Sequence, residues 1–367
     1  MLTAADYMRL ALAAAAQAQG RTHPNPPVGC VLVRGRRVIG TGHTQPAGQA
    51  HAEVAALRQA GPAARGADVY VTLEPCAHLG RTGACAEALV LAGVRRVFVG
   101  MSDPNPQVNG RGLRRLRRAG IEVQVGLLAA DCAVLNRPFV ACQRRGRVWV
   151  VGKVAQSLDG RVASASGASR WITGVPARRR GHALRDRYDA ILVGSGTVRA
   201  DDPRLTCRLR GGRDPIRIVL DSQARLSPTA QVLAITARSR APTWVVVGEN
   251  APLRRCQALR RAGAEVLSCP LRGARLDLVQ LMRQLCQRGL SSVLVEGGPT
   301  VLGALRDAAL LDELYVFLAP RLLGGVGARA ALAGDGAQAL VEAPYLRQLQ
   351  VEALGRDWLL HGIVAAP

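Results

Sequence analysis

Apolar residues recur at helical spacing near the start of the chain and then break into short runs. Residues 3–19 carry the helical pattern behind Thr3, a suitable N-cap, and Gly20 ends it. Two apolar runs, 28–33 and 37–42, flank a glycine turn and predict a β-hairpin. Helical and strand patterns then alternate, which predicts an α/β sandwich. The helical patterns are 51–60, 84–92 and 110–119, and the strand patterns are 68–73, 95–100 and 121–125.

A second alternating series begins at Val148, after a segment, 129–146, that runs into the basic stretch 144–147. A chain of 367 residues is longer than one hydrophobic core usually supports. We therefore predict two domains, 1–145 and 146–367. In the second domain, strand patterns lie at 148–154, 189–194, 216–220, 292–295, 313–318, 346–353 and 357–364, helical patterns at 176–187 and 299–308, and a mixed alternation at 231–289.

Composition limits the class of partner. The formal net charge of +23 would suit nucleic acid or an acidic membrane. However, Lys153 is the only lysine, and the arginines are scattered between elements rather than gathered in a stripe. We favour a solvated basic surface that attracts phosphorylated small molecules, and we expect no nucleic-acid partner.

Cysteine usage points to a compartment. Nine cysteines, with no secretory pattern at the N-terminus, are typical of a reducing cytoplasm, where cysteine is a buried apolar residue or a metal ligand. No uncharged apolar run approaches the ~18 residues that span a bilayer. We expect a cytoplasmic protein that does not bind membranes.

Three short segments of the first domain carry metal-site chemistry. His51 opens a predicted helix, Cys76 ends a predicted strand in Leu73-Glu74-Pro75-Cys76, and Cys85 starts the next helix. One imidazole and two thiolates leave the fourth position of a tetrahedral zinc open for water, which is typical of a catalytic site. Helix N-termini also favour thiolate over thiol. Each residue alone would be interpreted as a helix start or a buried cysteine, but their order and placement favour zinc.

Glu53 lies two residues after His51, in the first turn of the same predicted helix. A carboxylate that does not bind the metal but lies beside its water can take a proton and pass it to a leaving amine. The combination H-x-E with P-C…C is a signature of zinc nucleobase deaminases.

The spacing of the two cysteines narrows the class. Deaminases of cytidine or of bases in nucleic acids usually place two residues between the cysteines, whereas residues 77–84 form an eight-residue insert here. Two further stretches of the first domain are His23-Pro24-Asn25-Pro26-Pro27-Val28-Gly29-Cys30 and Asp103-Pro104-Asn105-Pro106-Gln107-Val108. Together with the cysteine spacing, they closely resemble the deaminase half of the bifunctional riboflavin-biosynthesis deaminase/reductases.

This resemblance implies a cytidine-deaminase-like α/β/α sandwich that binds Zn²⁺. It implies His51, Cys76 and Cys85 as zinc ligands and Glu53 as the proton shuttle. Among substrate contacts it implies Asn25 and His43 for the pyrimidine or ribose and Arg81 for the phosphate. The insert departs from the family pattern at Ala77, Leu79, Gly83 and Ala84, which puts its rigidity in doubt but leaves the zinc ligands intact.

Four stretches of the second domain resemble the reductase half of the same family, whose fold is similar to dihydrofolate reductase. They are residues 153–160, 169–173, 194–203 and 296–300. The last follows an apolar strand and opens a helix with Pro299 in its first turn, so its glycines let backbone N–H groups approach a phosphate. It lacks the G-x-G-x-x-G of a Rossmann unit. Taken alone, the glycine turn at 194–197 is interpreted as an ordinary connection.

By this resemblance the cofactor is NADPH and the substrates are phosphorylated pyrimidines. Arg185 and Arg208 would form a guanidinium clamp for the ribose 5′-phosphate. The expected NADPH contacts are Gln156, Trp171, Thr197, Asp201, Gly297, Gly298, Pro299 and Thr300, and the expected substrate contacts are Ser169, Arg185, Leu205, Arg208 and Glu296.

Lys153 is a catalytic candidate on independent grounds. It is the one lysine that an arginine-rich chain retains, and it lies in the first reductase-like stretch. A compact ammonium can hydrogen-bond a substrate hydroxyl or donate a proton in a confined pocket, where a guanidinium is bulkier and stays protonated. Chance survival of one lysine is the alternative.

We thus expect a hydrolase that deaminates 2,5-diamino-6-ribosylamino-4(3H)-pyrimidinone 5′-phosphate, fused to an oxidoreductase that reduces the ribosylamino group of the product. We also expect a homo-oligomer. Two other classes of protein are alternatives. The first is an RNA deaminase with an RNA-binding module, which the long cysteine spacing and the 3% aromatic content disfavour. The second is a binding scaffold with structural zinc, which the open ligand position and Glu53 disfavour.

Overall fold

The computed structural model describes residues 2–77, 83–106, 108–235 and 239–365. The chain forms two compact units, Met1–Gly146 and Arg147–Pro367, each built around its own sheet. No helix in the described ranges is both long and apolar enough to cross a membrane.

The first unit contains a five-stranded sheet in the order β2-β1-β3-β4-β5. Strands β1 and β2 form the predicted hairpin, β1 also pairs antiparallel with β3, and β3, β4 and β5 run parallel. The strands are β1 Gly29–Arg34, β2 Arg37–His43, β3 Asp68–Val71, β4 Arg96–Val99 and β5 Glu122–Val125. The helices are α1 Ala4–Ala18, α2 Ala52–Ala60, α3 Cys85–Leu91, α4 Arg111–Arg118, α5 Ala129–Leu135 and α6 Arg137–Arg145, with a 3₁₀ turn at Gly61–Ala64.

Local chemistry explains the start of α1 and the close packing of α1 and α2 on the hairpin. The Thr3 side chain accepts a hydrogen bond from the Asp6 amide, and the Asp6 side chain accepts one from the Thr3 amide; this reciprocal pair is a capping box. A Cβ atom on Gly29 would lie 1.9 Å from the carbonyl oxygen of Ala11, so α1 can approach β1 only at a glycine. Gly40 and Gly42 do the same for α2.

The second unit contains a nine-stranded sheet in the order β10-β9-β8-β7-β13-β6-β14-β16-β15. The strands from β10 to β14 in this order run parallel, and β14, β16 and β15 are antiparallel. Central strands such as β7 and β13 are apolar and buried over most of their length, as expected for parallel strands covered on both faces.

The strands of this unit are β6 Trp149–Ser157, β7 Ala190–Gly194, β8 Ile216–Leu220, β9 Thr243–Gly248, β10 Glu265–Cys269, β11 Leu271–Arg272, β12 Arg275–Leu276, β13 Ser292–Val295, β14 Glu313–Ala319, β15 Tyr345–Leu354 and β16 Asp357–Ala365. The helices are α7 Val175–Arg187, α8 Ser195–Asp201, α9 Gln231–Ala234, α10 Leu253–Arg261, α11 Leu278–Gln287 and α12 Pro299–Asp307, with a 3₁₀ turn at Leu340–Glu342.

The structure corrects the sequence analysis at two places in these elements. The glycine turn at 194–197 is not an ordinary connection, because helix α8 begins at Ser195 directly after β7. Cys76 does not end a strand: β3 stops at Val71, and the residues from Thr72 onward form a bend and an irregular loop.

Candidate active sites

The first unit brings His51, Cys76 and Cys85 together. His51 is the N-cap of α2, Cys85 is the first residue of α3, and Cys76 lies in the loop after β3. His51 Nδ1 lies 3.2 Å from the Cys85 sulfur and 3.7 Å from the Cys76 sulfur. The potential ligand atoms all lie within 4.8 Å of one another. An imidazole nitrogen with two sulfurs is a donor set that suits zinc.

Glu53 lies beside this cluster and is almost completely buried, at 3% exposure. Burial and the neighbouring Cys76 sulfur raise the pKa of Glu53 to about 7. The hydrogen bonds from Cys85 and His51 lower the pKa of Cys76 to about 4 despite its burial. Because its pKa is about 7, the Glu53 carboxyl group can hold or release a proton next to the cluster.

Backbone contacts fix the elements that carry these side chains. Cβ atoms on Gly40 and Gly42 would lie 2.3 Å and 2.2 Å from carbonyl oxygens of α2, so the two glycines let α2, and with it His51, lie close against β2. The Cys76 carbonyl accepts a 3.0 Å hydrogen bond from the Ala86 amide, and the Cys76 sulfur accepts one of 3.4 Å from the Cys85 amide. The start of α3 is thus tied to the Cys76 loop.

Sequence analysis missed Glu74 in this region. Its buried carboxylate accepts hydrogen bonds from four backbone amides of the segment 103–113. The sequence shows that Glu74 lies two residues before Cys76. However, the amides that bind its carboxylate lie 29 to 39 residues away, and backbone donors leave no pattern of side chains from which they could be predicted.

The predicted substrate contacts of the first unit are only partly described. His43 ends β2 and pairs with Gly29, the first residue of β1. Asn25 lies in the loop before β1, where its amide donates to the Thr22 carbonyl at 2.8 Å. Both residues are partly exposed. Arg81 and the departure at Leu79 lie outside the described residues.

The second unit contains a cavity of about 1490 Å³ where β6, β7 and β13 lead into loops and helices. It is large enough for a dinucleotide and a second ligand. Gln156 is not among the described residues that line it, although it lies in β6. The predicted residues that line it are Lys153, Ser169, Trp171, Arg185, Thr197, Asp201, Leu205, Arg208, Glu296, Gly297, Gly298, Pro299 and Thr300.

A charged cluster lies in this cavity. Arg185 donates through Nε and Nη2 to the two carboxylate oxygens of Glu296, at 2.7 and 2.9 Å, and through Nη1 to the Thr206 carbonyl at 2.9 Å. The Lys153 ammonium lies 3.7 Å from Glu296 and 5.5 Å from the ring centre of Phe317. Burial alone would raise the pKa of Glu296, but the charges of Arg185 and Lys153 hold it at about 2.

This cluster changes the interpretation of the predicted guanidinium clamp. Arg185 is engaged by Glu296 and by the loop that carries Thr206, so much of its charge is already compensated. Arg208 is exposed and lines the same cavity. The geometry therefore favours Arg208 over Arg185 for an incoming phosphate.

The glycine-rich loop follows Glu296 directly in the chain and also lines the cavity; α12 begins in it at Pro299, with Gly298 as N-cap. The Gly298 amide donates to the Thr197 hydroxyl at 3.0 Å, which ties the loop to α8. A Cβ on Gly297 would lie 3.2 Å from the Cα atom of Val193, so a larger residue would push the loop away from β7. A helix N-terminus behind a close-packed glycine loop suits a phosphate group.

Five arginines that line the cavity were not predicted as site residues: Arg170, Arg178, Arg204, Arg275 and Arg329. Because the chain is so rich in arginine, the residue type alone does not distinguish these five from the others, and only the fold shows that they line the cavity.

Comparisons with known proteins cover both units. Residues 1–101 match the family model of the cytidine and deoxycytidylate deaminase zinc-binding region, and residues 148–360 match that of the RibD C-terminal domain. The riboflavin biosynthesis protein RibD of Escherichia coli (strain K12) is 44% identical over 97% of this chain and 98% of its own length.

Two solved structures are similar over 99% of this chain and 99% of their own. RibD of Acinetobacter baumannii superposes with a TM-score of 0.87 at 39% identity. The diaminohydroxyphosphoribosylaminopyrimidine deaminase/5-amino-6-(5-phosphoribosylamino)uracil reductase of Thermotoga maritima has a TM-score of 0.85 at 32% identity. These matches confirm the predicted fold class: a cytidine-deaminase-like unit is followed by a unit with the fold of the RibD C-terminal reductase domain.

Proposed function

This chain belongs to the RibD family of riboflavin-biosynthesis proteins, and on that basis we propose how its residues divide two reactions. It is a bifunctional enzyme with a zinc-dependent deaminase and an NADPH-dependent reductase. The first reaction hydrolyses the amino group from 2,5-diamino-6-ribosylamino-4(3H)-pyrimidinone 5′-phosphate. The second reduces the ribosylamino group of 5-amino-6-(5-phosphoribosylamino)uracil to ribitylamino. We assign the deaminase to residues 1–145 and the reductase to residues 146–367.

The convergence of His51, Cys76 and Cys85 within 4.8 Å beside buried Glu53 is the observation that carries the deaminase assignment. We assign the three as zinc ligands, since they offer one nitrogen and two sulfur atoms and leave a position open. Zinc bound there supplies a water that is activated for attack on the ring carbon bearing the amino group. Glu53 takes the proton of that water and delivers it to the departing amine. Asn25, His43 and Arg81 are the proposed substrate contacts.

In the reductase cavity, the loop 297–300 and Thr197 hold the cofactor phosphates at the start of α12, with Trp171 and Asp201 as further proposed contacts. Gln156 is proposed as a cofactor contact by the family resemblance alone. NADPH supplies the hydride for C1′ of the open imine form of the substrate. Lys153 lies 3.7 Å from Glu296, where it can donate a hydrogen bond or a proton to the reacting sugar.

On the substrate side of the cavity, Glu296 fixes Arg185, and Arg185 in turn holds the Thr206 carbonyl in the loop that leads to Arg208. Ser169, Leu205 and Arg208 complete the proposed substrate site. Arg208 is the phosphate partner that the geometry favours, because its charge is exposed to the cavity.

We further propose a homo-oligomer that forms through the β15–β16 hairpin. β15 is an edge strand that is exposed along almost its whole length, including Leu349 and Val351, and Trp358 of the paired strand β16 is exposed as well. Such an edge is a template for pairing with a second copy. Light scattering should give a multiple of 38.8 kDa, and Val351→Glu should shift the mass towards one chain. We also propose a cytoplasmic location, in which the thiolate ligands stay reduced.

The test of the two-reaction assignment follows ammonia release and NADPH oxidation separately with the full-length chain. Wild type should show both activities. Glu53→Gln should reduce the supplied uracil intermediate at the wild-type rate but lose deamination. Lys153→Arg should deaminate at the wild-type rate but reduce more slowly. Loss of both activities in either variant would contradict the division of residues between the two units.

A further inference from the structure

The buried carboxylate of Glu74 links the Cys76 loop to the segment 101–113. Neither Glu74 nor that segment has a role in the reactions as assigned above. The Glu74 carboxylate is 3% exposed. One of its oxygens accepts from the amides of Asp103 and Gly110, at 3.2 and 3.0 Å. The other accepts from the amides of Gly112 and Leu113, at 3.1 and 3.4 Å. The carboxylate is therefore met by three backbone N–H groups at the start of α4, where the helix dipole also favours an anion, and by the Asp103 amide in the preceding loop.

The backbone around Glu74 makes two more contacts with the same segment. The Glu74 amide donates to the Met101 carbonyl at 3.0 Å. A Cβ atom on Gly112 would lie only 1.8 Å from the Pro75 carbonyl oxygen, so α4 packs against the Cys76 loop at a point where only glycine fits. The side chain and the amide of Glu74 are thus hydrogen-bonded to residues of this segment, and the Pro75 carbonyl lies in close contact with Gly112.

The next residue along the chain is Cys76, whose sulfur must reach a metal that His51 and Cys85 also reach. Zinc–sulfur bonds are about 2.3 Å long and tolerate displacements of roughly 0.2 Å. On the other side, the Ala86 and Cys85 amides bind the Cys76 carbonyl and sulfur. The loop is therefore fixed before Cys76 by Glu74 and after it by the start of α3.

We propose that Glu74 is a positioning residue of the deaminase site, which sets the Cys76 sulfur at bonding distance from the metal by anchoring the loop to α4 and to the segment 103–110. The inference rests on the proposed zinc site but assigns a role to a residue that touches neither metal nor substrate. Its alternative is that Glu74 only caps α4, in which case its loss lowers stability without changing metal affinity.

The test uses Glu74→Gln in the full-length chain. The amide keeps the shape of the side chain but turns an NH₂ group toward two backbone N–H donors, which forces the loop and α4 apart. We expect zinc affinity, measured by competition with a chromogenic chelator, to fall about tenfold to a hundredfold, the usual cost of losing an outer-shell support. Deaminase kcat should fall with zinc occupancy, while the reductase rate in the same sample stays unchanged.

Val97→Ala is the matched control. Val97 is fully buried in β4, in the core of the same unit, and its truncation destabilises that core without touching Glu74. It should lower the melting temperature but keep wild-type zinc affinity. Glu74→Asp, which retains the carboxylate, should recover part of the affinity that the glutamine variant loses.

Equal zinc affinity in Glu74→Gln and Val97→Ala would overturn the inference. If the glutamine variant does not fold, Gly112→Ala decides, because its Cβ would lie 1.8 Å from the Pro75 carbonyl oxygen and push α4 away from the Cys76 loop without changing Glu74 itself. Wild-type affinity in that variant would also overturn the inference. A wild-type chain that binds no zinc would instead contradict the proposed function.

Discussion

Glu53 and Glu296 are both buried carboxylates at the centre of a site, yet their surroundings give them opposite properties. Glu53 lies among a histidine and two cysteines, and burial with the Cys76 charge raises its pKa to about 7. Glu296 is largely enclosed as well, with 10% of its side chain exposed, but Arg185 and Lys153 hold its pKa at about 2. Burial therefore does not decide the state of a carboxylate; the sign of the nearest charges does. One can carry a proton, and the other is a permanent anion that organises cations.

The two sites also differ in how their parts depend on one another. The metal cluster needs all three ligand atoms within 4.8 Å, so it should be lost as a unit. The reductase cavity of about 1490 Å³ is formed by residues from many segments, so single changes there should have graded effects. The substitutions below test this contrast.

Cys85→Ser should have the largest effect. A serine hydroxyl is a poor zinc ligand at neutral pH, so the variant should lose both bound metal and detectable deamination. The reductase unit has its own core and should keep its rate. Metal analysis with both activity assays checks this. Full zinc occupancy in the variant would mean that Cys85 is not a ligand.

Glu53→Gln should lower the deamination rate by ~10²–10⁴-fold while zinc content stays at the wild-type level, because the amide cannot carry a proton and the residue is not a ligand. Glu122→Gln, an exposed change on β5 of the same unit, is the matched control and should have no effect. Near-normal ammonia release by Glu53→Gln would rule out the proton-shuttle role.

Lys153→Arg should slow the reductase by roughly 10–100-fold, less than a lost general acid can cost, because a positive charge is retained. The guanidinium is longer and bulkier than the ammonium, so its charge would be displaced from the position that lies 3.7 Å from Glu296 and 5.5 Å from the ring centre of Phe317. Deamination and NADPH affinity should stay unchanged. A wild-type reduction rate would mean that Lys153 has no catalytic role and that this lysine is retained by chance.

Glu296→Gln should have a smaller effect, on stability, and one that depends on pH. The folded state lowers the pKa of Glu296 from 4.5 to about 2. Its ionised form therefore stabilises the fold fully above pH 4.5, and this contribution is lost as pH falls towards 2. The variant should lose roughly 1–3 kcal/mol at neutral pH, and the difference from wild type should shrink in acid.

Thermal melts of the reductase unit at several pH values measure this effect. Glu265→Gln breaks an exposed ion pair with Arg288 and is the matched control, for which we expect little change at any pH. A difference between Glu296→Gln and wild type that does not vary with pH would contradict the charge-based explanation.

Sequence patterns predicted most elements because they depend on local signals, such as the Thr3 cap and the glycine turn of the β1–β2 hairpin. They failed at α8, where Gly196 and Thr197 are weak helix formers and the fold overrides local preference. The metal cluster was predictable because residue type and spacing carry its chemistry. The ion pair of Arg185 with Glu296 was not, because the partners lie 111 residues apart among many arginines.

The strand order of the second sheet has a consequence for synthesis on the ribosome. β6, the first strand of that unit to emerge, pairs with β13 and β14, which begin at residues 292 and 313. It therefore stays without its partners while more than a hundred residues are translated, whereas the first sheet is complete once residue 125 has emerged. Since domains fold largely in order of translation, the deaminase unit can be folded while the nascent reductase still exposes an apolar strand. Chaperone demand during translation should fall on the second half of the nascent chain.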